Sequence, residues 1–185
     1  RGCDLLRVSN DFIPNRSFGV RRHIINNFYN AFWLGRLFWP DFDMFQSHDR
    51  YAPAIARSLA VSESPVYTTD EPARNNAELV RRLALPDGAV PRYEQPARPL
   101  ASRFFRDPYA PGEVLAVRAV HGRAVTLGLF NLCSTAEAVN GTLEWTELGL
   151  PETPCAWYSD ARHCGGILEP GQPLRYSLKE MESDL

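Results

Sequence analysis

The chain has 185 residues, 44% of them hydrophobic and 23% charged, with a formal net charge of -2. This is the composition of an ordinary globular protein, one large domain or two small ones, without the basic footprint that nucleic acid or an anionic membrane would demand. No apolar run is long enough to span a bilayer as a helix, so neither nucleic acid nor membrane is expected as a partner.

The chain opens at Arg1 without a methionine and enters an apolar run almost at once, as expected of a fragment of a longer polypeptide. Residues 4–11 read as a short buried strand ending in polar residues. Val20 to Leu37 has helical spacing, with Ile24, Ile25, Phe28, Phe32 and Trp33 recurring at three and four residues. In Phe38 to Phe45 apolar residues bracket two acids. Ala52 to Leu59 reads as a helix, Pro65 to Asp70 as a third short strand, and Asn76 to Leu85 as a helix stopped by Pro86-Asp87-Gly88. Strand and helix alternate three times, which predicts parallel strands with crossover helices.

Residues 89–111 carry Pro91, Pro96, Pro99, Pro108 and Pro111 and read as a linker or wrapping loop. Beyond them come β-type runs at Glu113–Val120, Ala124–Asn131, Val139–Trp145, Ala156–Tyr158 and Leu174–Leu178. His121-Gly122 and Asn140-Gly141 read as turn dipeptides. The expected organisation is an α/β part over 1–88, a linker over 89–111 and an antiparallel β-sandwich over 112–185.

Cys3, Cys133, Cys155 and Cys164 match no common zinc spacing, and Cys155, His163 and Cys164 lack a fourth ligand. Free thiols in a reducing compartment are expected, which favours the cytoplasm. A Cys155–Cys164 bridge is the alternative for an exported protein.

Each predicted parallel strand ends in carboxylates: Asp11, then Asp41 and Asp43, then Asp70. In parallel α/β folds these ends form the active-site face, and acids there are costly to desolvate without a partner. Side chains alternate along a strand, so Arg7, Ser9 and Asp11 share a face, as do Asp41 and Asp43 with Phe42 turned away. Arg7 is then placed to hold Asp11, as a catalytic pair or a structural ion pair. Trp39 reads as a sugar-stacking platform or as core. Asp70 reads as part of the same rim or as a helix cap. A metal site from Asp41, Asp43 and His48 is a third possibility.

Arg7-Val-Ser-Asn-Asp-Phe-Ile-Pro-Asn15 resembles the strand-six motif of the raffinose synthase and seed imbibition (alkaline α-galactosidase) family, a group of clan D glycoside hydrolases. The stretch from His23-Ile-Ile-Asn-Asn-Phe-Tyr-Asn30 through Leu34-Gly35 to Trp39-Pro-Asp-Phe-Asp-Met-Phe-Gln-Ser47 resembles the family's next helix and strand. Pro65 to Asp70 and Leu85-Pro-Asp-Gly88 continue the match in order. Ser62-Glu63-Ser64 stands where the family usually has a glycine pair.

The resemblance implies the last three βα units of a (β/α)8 barrel followed by a β-sandwich. It also implies a retaining double displacement on α-galactosides such as raffinose-type oligosaccharides, with no cofactor. Asp11, four residues after Arg7, matches the general acid/base, and Arg7 orients it. Many relatives carry two adjacent acids where this chain has Asn10-Asp11. Asp43, Asp41, Trp39, Met44 and Asp70 would line the sugar pocket. The nucleophile of a Lys-x-Asp pattern is absent, as expected if upstream sequence supplies the rest of the barrel. A galactosyltransferase of the raffinose synthase kind, or a non-catalytic sugar-binding relative, are the alternatives.

Overall fold

The computed structural model describes residues 4–62, 64–135 and 137–185. Cys3, and Glu63 of the altered loop, lie outside the described residues. Strands β1 (Leu5–Arg7) and β2 (Trp39–Asp41) pair in parallel, Leu5 opposite Trp39 and Arg7 opposite Asp41. Helix α1 (Ser17–Leu34) makes the crossover between them. It starts three residues before the apolar periodicity does and stops three before Leu37. Its buried stripe of Val20, Ile24 and Phe28 covers the sheet, and the Phe28 ring meets Phe42 edge-on at 5.5 Å.

Helix α2 (Ala52–Ala60) follows, then helix α3 (Ala77–Arg81), much shorter than the run to Leu85 predicted. The expected third strand is reduced to one parallel bridge, Phe45 to Thr68. Phe45 N–H bonds the Tyr67 carbonyl and Thr69 N–H bonds the Phe45 carbonyl. Pro65 has no N–H to extend the ladder.

The segment read as a linker contains a strand. β3 (Gln95–Pro99), β4 (Leu115–His121), β5 (Ala124–Phe130) and β10 (Ser183–Asp184) form a four-stranded sheet ordered β10-β5-β4-β3, with β3 at one end. Pro96 and Pro99 fit there because an edge strand has N–H positions that no ladder needs. The Ala97 N–H reaches across to the Val61 carbonyl at the end of α2.

Next come β6 (Val139–Leu143), helix α4 (Trp145–Leu148), β7 (Cys155–Ser159), β8 (Cys164–Leu168), β9 (Leu174–Leu178) and β10 (Ser183–Asp184). β6 pairs with β9 and β7 with β8, both antiparallel. Asn140-Gly141 is therefore no turn: both residues lie inside β6. Gly141 faces Tyr176, and a Cβ there would stand 2.5 Å from the tyrosine oxygen, so the glycine makes room for the ring. The run to Trp145 also breaks early. Glu144 and Glu147 form a reciprocal capping box that starts α4, and Arg118 of β4 donates to the Leu148 and Gly149 carbonyls at its end.

β4 joins the two halves. Leu115, Val117 and Ala119 enter the core shared with α1 and α2, whereas Ala116 enters the core shared with Leu143, Leu148 and Leu178. The period of two along one strand thus serves two cores. Between the halves, Asp160 takes Arg57 of α2 at 3.0 Å and Arg82 beyond α3. The architecture is mixed α/β with antiparallel sheets.

Cys155 and Cys164 cannot bridge. Ser159 is the residue opposite Cys164, and Cys155 lies four residues further along the ladder, opposite Leu168. At roughly 3.3 Å per residue that separation is about 13 Å, beyond the reach of a disulfide.

Candidate active site at the strand ends

The geometry centres on Arg7, the last residue of β1. Its guanidinium contacts three carboxylates: Asp43 through Nη2 at 2.7 Å, Asp41 through Nε at 3.4 Å, and Asp11 through Nη1 at 3.4 Å. The planar fork of arginine makes this possible, since one group offers several divergent donors. Burial works against the charge on Arg7, but Asp43 and Asp41 outweigh it and hold the guanidinium above its ordinary value.

The three acids differ in what else they do. Asp41 accepts from Tyr67 Oη at 3.1 Å and from the Asp43 N–H at 2.8 Å. Asp43 sits in the left-handed region at φ 72°, and its carboxylate accepts the N–H groups of Phe12 (2.7 Å) and Met44 (2.8 Å). Both are buried, and their oxygens are committed to protein donors. Asp11 is the opposite case: its side chain is 97% exposed, with Arg7 as its one ion-pair partner among the described residues. Of the acids around Arg7, it alone is free to reach a second molecule.

Tyr67 belongs to this cluster and was not singled out from sequence. Burial, and then the adjacent Asp41, push its phenol up from the ordinary value. The signal available was weak, a tyrosine in a short β-type run. Ser64 also has a defined role: its hydroxyl accepts the Phe42 N–H at 2.9 Å, so the altered loop supports the end of β2.

Other predicted residues have side-chain partners or positions beyond the three carboxylates of Arg7. Asp70, expected at the same rim or as a helix cap, does not cap α3. Its carboxylate accepts the Ser47 N–H at 2.8 Å and Ser47 hydroxyl at 2.7 Å and lies 2.8 Å from His48 Nδ1, while Asn76 caps α3. Burial opposes the charge on Asp70, but the Ser47 and His48 hydrogen bonds hold its carboxyl below the usual value. His48 therefore serves Asp70 rather than Asp41 and Asp43, whose cation is Arg7. Trp39 stands two residue pairs below Arg7, opposite Leu5, and both are exposed on the same uncovered sheet face. Met44 accepts the Thr69 hydroxyl on its sulfur at 3.3 Å. A cavity of about 380 Å³ lies elsewhere, against Leu129, Trp157, Leu168 and Tyr176, and none of the Arg7 cluster borders it.

Known proteins resemble this chain in sequence and in fold. The probable galactinol–sucrose galactosyltransferase 6 of Arabidopsis thaliana is 36% identical over 128 residues, which is 69% of this chain and 17% of that protein. The galactinol–sucrose galactosyltransferase of Oryza sativa subsp. japonica is 41% identical over 134 residues, 68% of this chain and 17% of its own length. The chain thus spans about a sixth of these relatives. Among solved structures, a GH27 β-L-arabinopyranosidase from Geobacillus stearothermophilus superposes with a TM-score of 0.67 at 15% identity, covering 98% of this chain and 44% of the other. α-Galactosidase I from Mortierella vinacea gives 0.60 at 12% identity, covering 98% and 52%. The family model described as raffinose synthase or seed imbibition protein Sip1 matches residues 2–141, and the chain belongs to that family.

Proposed function

We propose that this chain is the acid/base-bearing part of a retaining enzyme that processes α-galactosides, with Asp11 as the general acid/base and Arg7 as the group that orients it. The observation carrying the reading is the contrast within one cluster. Asp41 and Asp43 are buried and spent on protein donors, whereas Asp11 projects from the same guanidinium with its carboxyl open. In a double displacement such a carboxyl protonates the glycosidic oxygen as the bond breaks. It then takes the proton of the incoming hydroxyl as the second bond forms.

The relatives named as galactosyltransferases favour a sugar hydroxyl over water as that acceptor. Asp41, Asp43, Trp39 and Met44 would shape the wall around the sugar, the two acids through Arg7 and Tyr67. The nucleophile would come from sequence upstream, as would the remaining strands of a (β/α)8 barrel. Supporting this, one face of the β1–β2 pair is uncovered, with Leu5 at 53% and Trp39 at 37% exposure. Parallel strands are ordinarily buried on both faces.

The test uses the full-length protein and aryl α-galactosides of graded leaving-group ability. Asp11→Ala should slow turnover strongly for poor leaving groups and little for good ones, because only the former need the proton. Equal rates for variant and parent across the series would sink the assignment. Full-length protein that turns over none of these substrates and transfers no galactosyl group would favour a non-catalytic sugar-binding role.

A further inference from the structure

Helix α1 turns a polar row toward the strand end. His23, Asn26 and Asn30 recur at three and four residues and so share one face. Each bonds the stretch that leads into Asp11. Asn30 Nδ2 donates to the Val8 carbonyl at 2.6 Å, Asn26 Nδ2 to the Asn10 side-chain oxygen at 3.1 Å, and His23 Nδ1 lies 3.2 Å from the Asn10 carbonyl. The carbonyl can only accept, so Nδ1 carries the hydrogen. On the far side of Asp11, the Phe12 N–H is held by Asp43, and the Phe12 ring meets the His23 ring edge-on at 6.0 Å. The backbone on both sides of Asp11 is thus clamped, while its carboxyl, paired with Arg7, stays exposed.

We propose that His23 is a positioning residue for Asp11: its neutral imidazole, donating through Nδ1 to the Asn10 carbonyl, sets the peptide from which the acid/base carboxyl projects. The inference rests on the assignment of Asp11 above. His23 has no exposed surface, and among the described residues no well-formed hydrogen bond reaches its Nε2. Burial pushes the His23 pKa down, which the Asn10 backbone, Asp43 and the Phe42 backbone only partly oppose, so the ring is held in the neutral form that this contact needs. Packing alone would not require an imidazole, because an aliphatic side chain fills a core position without a donor to satisfy.

The experiment compares His23→Leu, His23→Asn and His23→Gln in the full-length protein, on one α-galactoside with a good leaving group and one with a poor leaving group. Asparagine presents its N–H₂ near the place of Nδ1, glutamine near that of Nε2. His23→Leu should lower kcat for the poor leaving group about tenfold more than for the good one, with KM little changed, because a displaced acid matters only where the proton is needed. His23→Asn should restore most of the loss and His23→Gln should not. Should His23→Leu fail to fold, the difference between asparagine and glutamine carries the test. Equal losses on both substrates, or equal behaviour of the asparagine and glutamine variants, would overturn the inference. Asp11→Ala run in parallel keeps the two readings apart. A flat response there rejects Asp11 itself, whereas a leaving-group dependence in Asp11→Ala without one in the His23 variants rejects only the positioning role.

Discussion

Nη2 of Arg7 lies 2.7 Å from Oδ1 of Asp43, and this ion pair locks the end of β1 to the turn that follows β2. Asp43 passes the constraint on, because its other oxygen holds the Phe12 N–H. The backbone beside the proposed acid/base is therefore fixed by a contact between its neighbours, in addition to the ion pair that Asp11 itself makes with Arg7.

Arg7→Met should destabilise the protein, since it leaves two buried carboxylates without their cation. Removing one partner of a buried pair costs about 3–5 kcal/mol. The lower end is expected here, because the Arg7 side chain is itself 39% exposed and solvent screens part of its charge. Arg7→Lys should recover only part of the loss, as an ammonium carries its donors on one nitrogen and cannot span three carboxylates as the separated nitrogens of the guanidinium do. Urea unfolding midpoints measure both; a midpoint for Arg7→Met equal to the parent's would count against the locking role.

Tyr67→Phe removes the hydroxyl that donates to Asp41 and should cost about 1 kcal/mol, the usual scale of one hydrogen bond. Because Tyr67 and Arg7 share Asp41, the two substitutions should not add. A double-mutant cycle with additive losses would show that they act on Asp41 independently.

Asp160 ties the helical half to the β-rich half and should give the protein an acid-sensitive joint. Burial opposes its charge, but Arg57 and then Arg82 hold its carboxyl below the usual value. A carboxyl depressed in the folded state stabilises above its unfolded pKa, and that contribution disappears as pH falls through the folded value. Asp160→Asn should therefore lower stability near neutrality by roughly 1–3 kcal/mol. It should also flatten the fall in stability below about pH 5. Parallel pH–stability curves for parent and variant would contradict this.

Cys155 and Cys164 should both react with an alkylating reagent in the folded protein without prior reduction, Cys164 faster because it is the more exposed, and Cys133 only on unfolding. Intact-mass measurement reads the added groups directly. A loss of two hydrogens and no alkylation at either hairpin cysteine would mean that β7 and β8 are paired differently.

Much of the helical half was legible in the residues. The spacing of Ile24 and Phe28 makes α1 amphipathic whatever surrounds it, and Ile55 with Leu59 does the same for α2. Elements that depend on a partner were not legible. β3 is hidden by Pro96 and Pro99, which only an edge position tolerates. β8 runs through Gly165 and Gly166, which lack β propensity but admit the Trp157 strand closely. The residues 65–70 look like β1 and β2 in composition, yet form a single bridge, because extending a strand needs a neighbour in register.

The same division runs through the site. Chain order alone puts Arg7 four residues before Asp11 and sets Asp41 and Asp43 on one side of Phe42, because side-chain alternation is a property of the local backbone. Which acid stays open, that Tyr67 joins them, that Asp70 turns to Ser47 and His48, and that His23 bears on the Asn10 carbonyl were decided by tertiary structure. Those contacts join residues far apart in the chain, across segments whose relative placement comes from packing of the core.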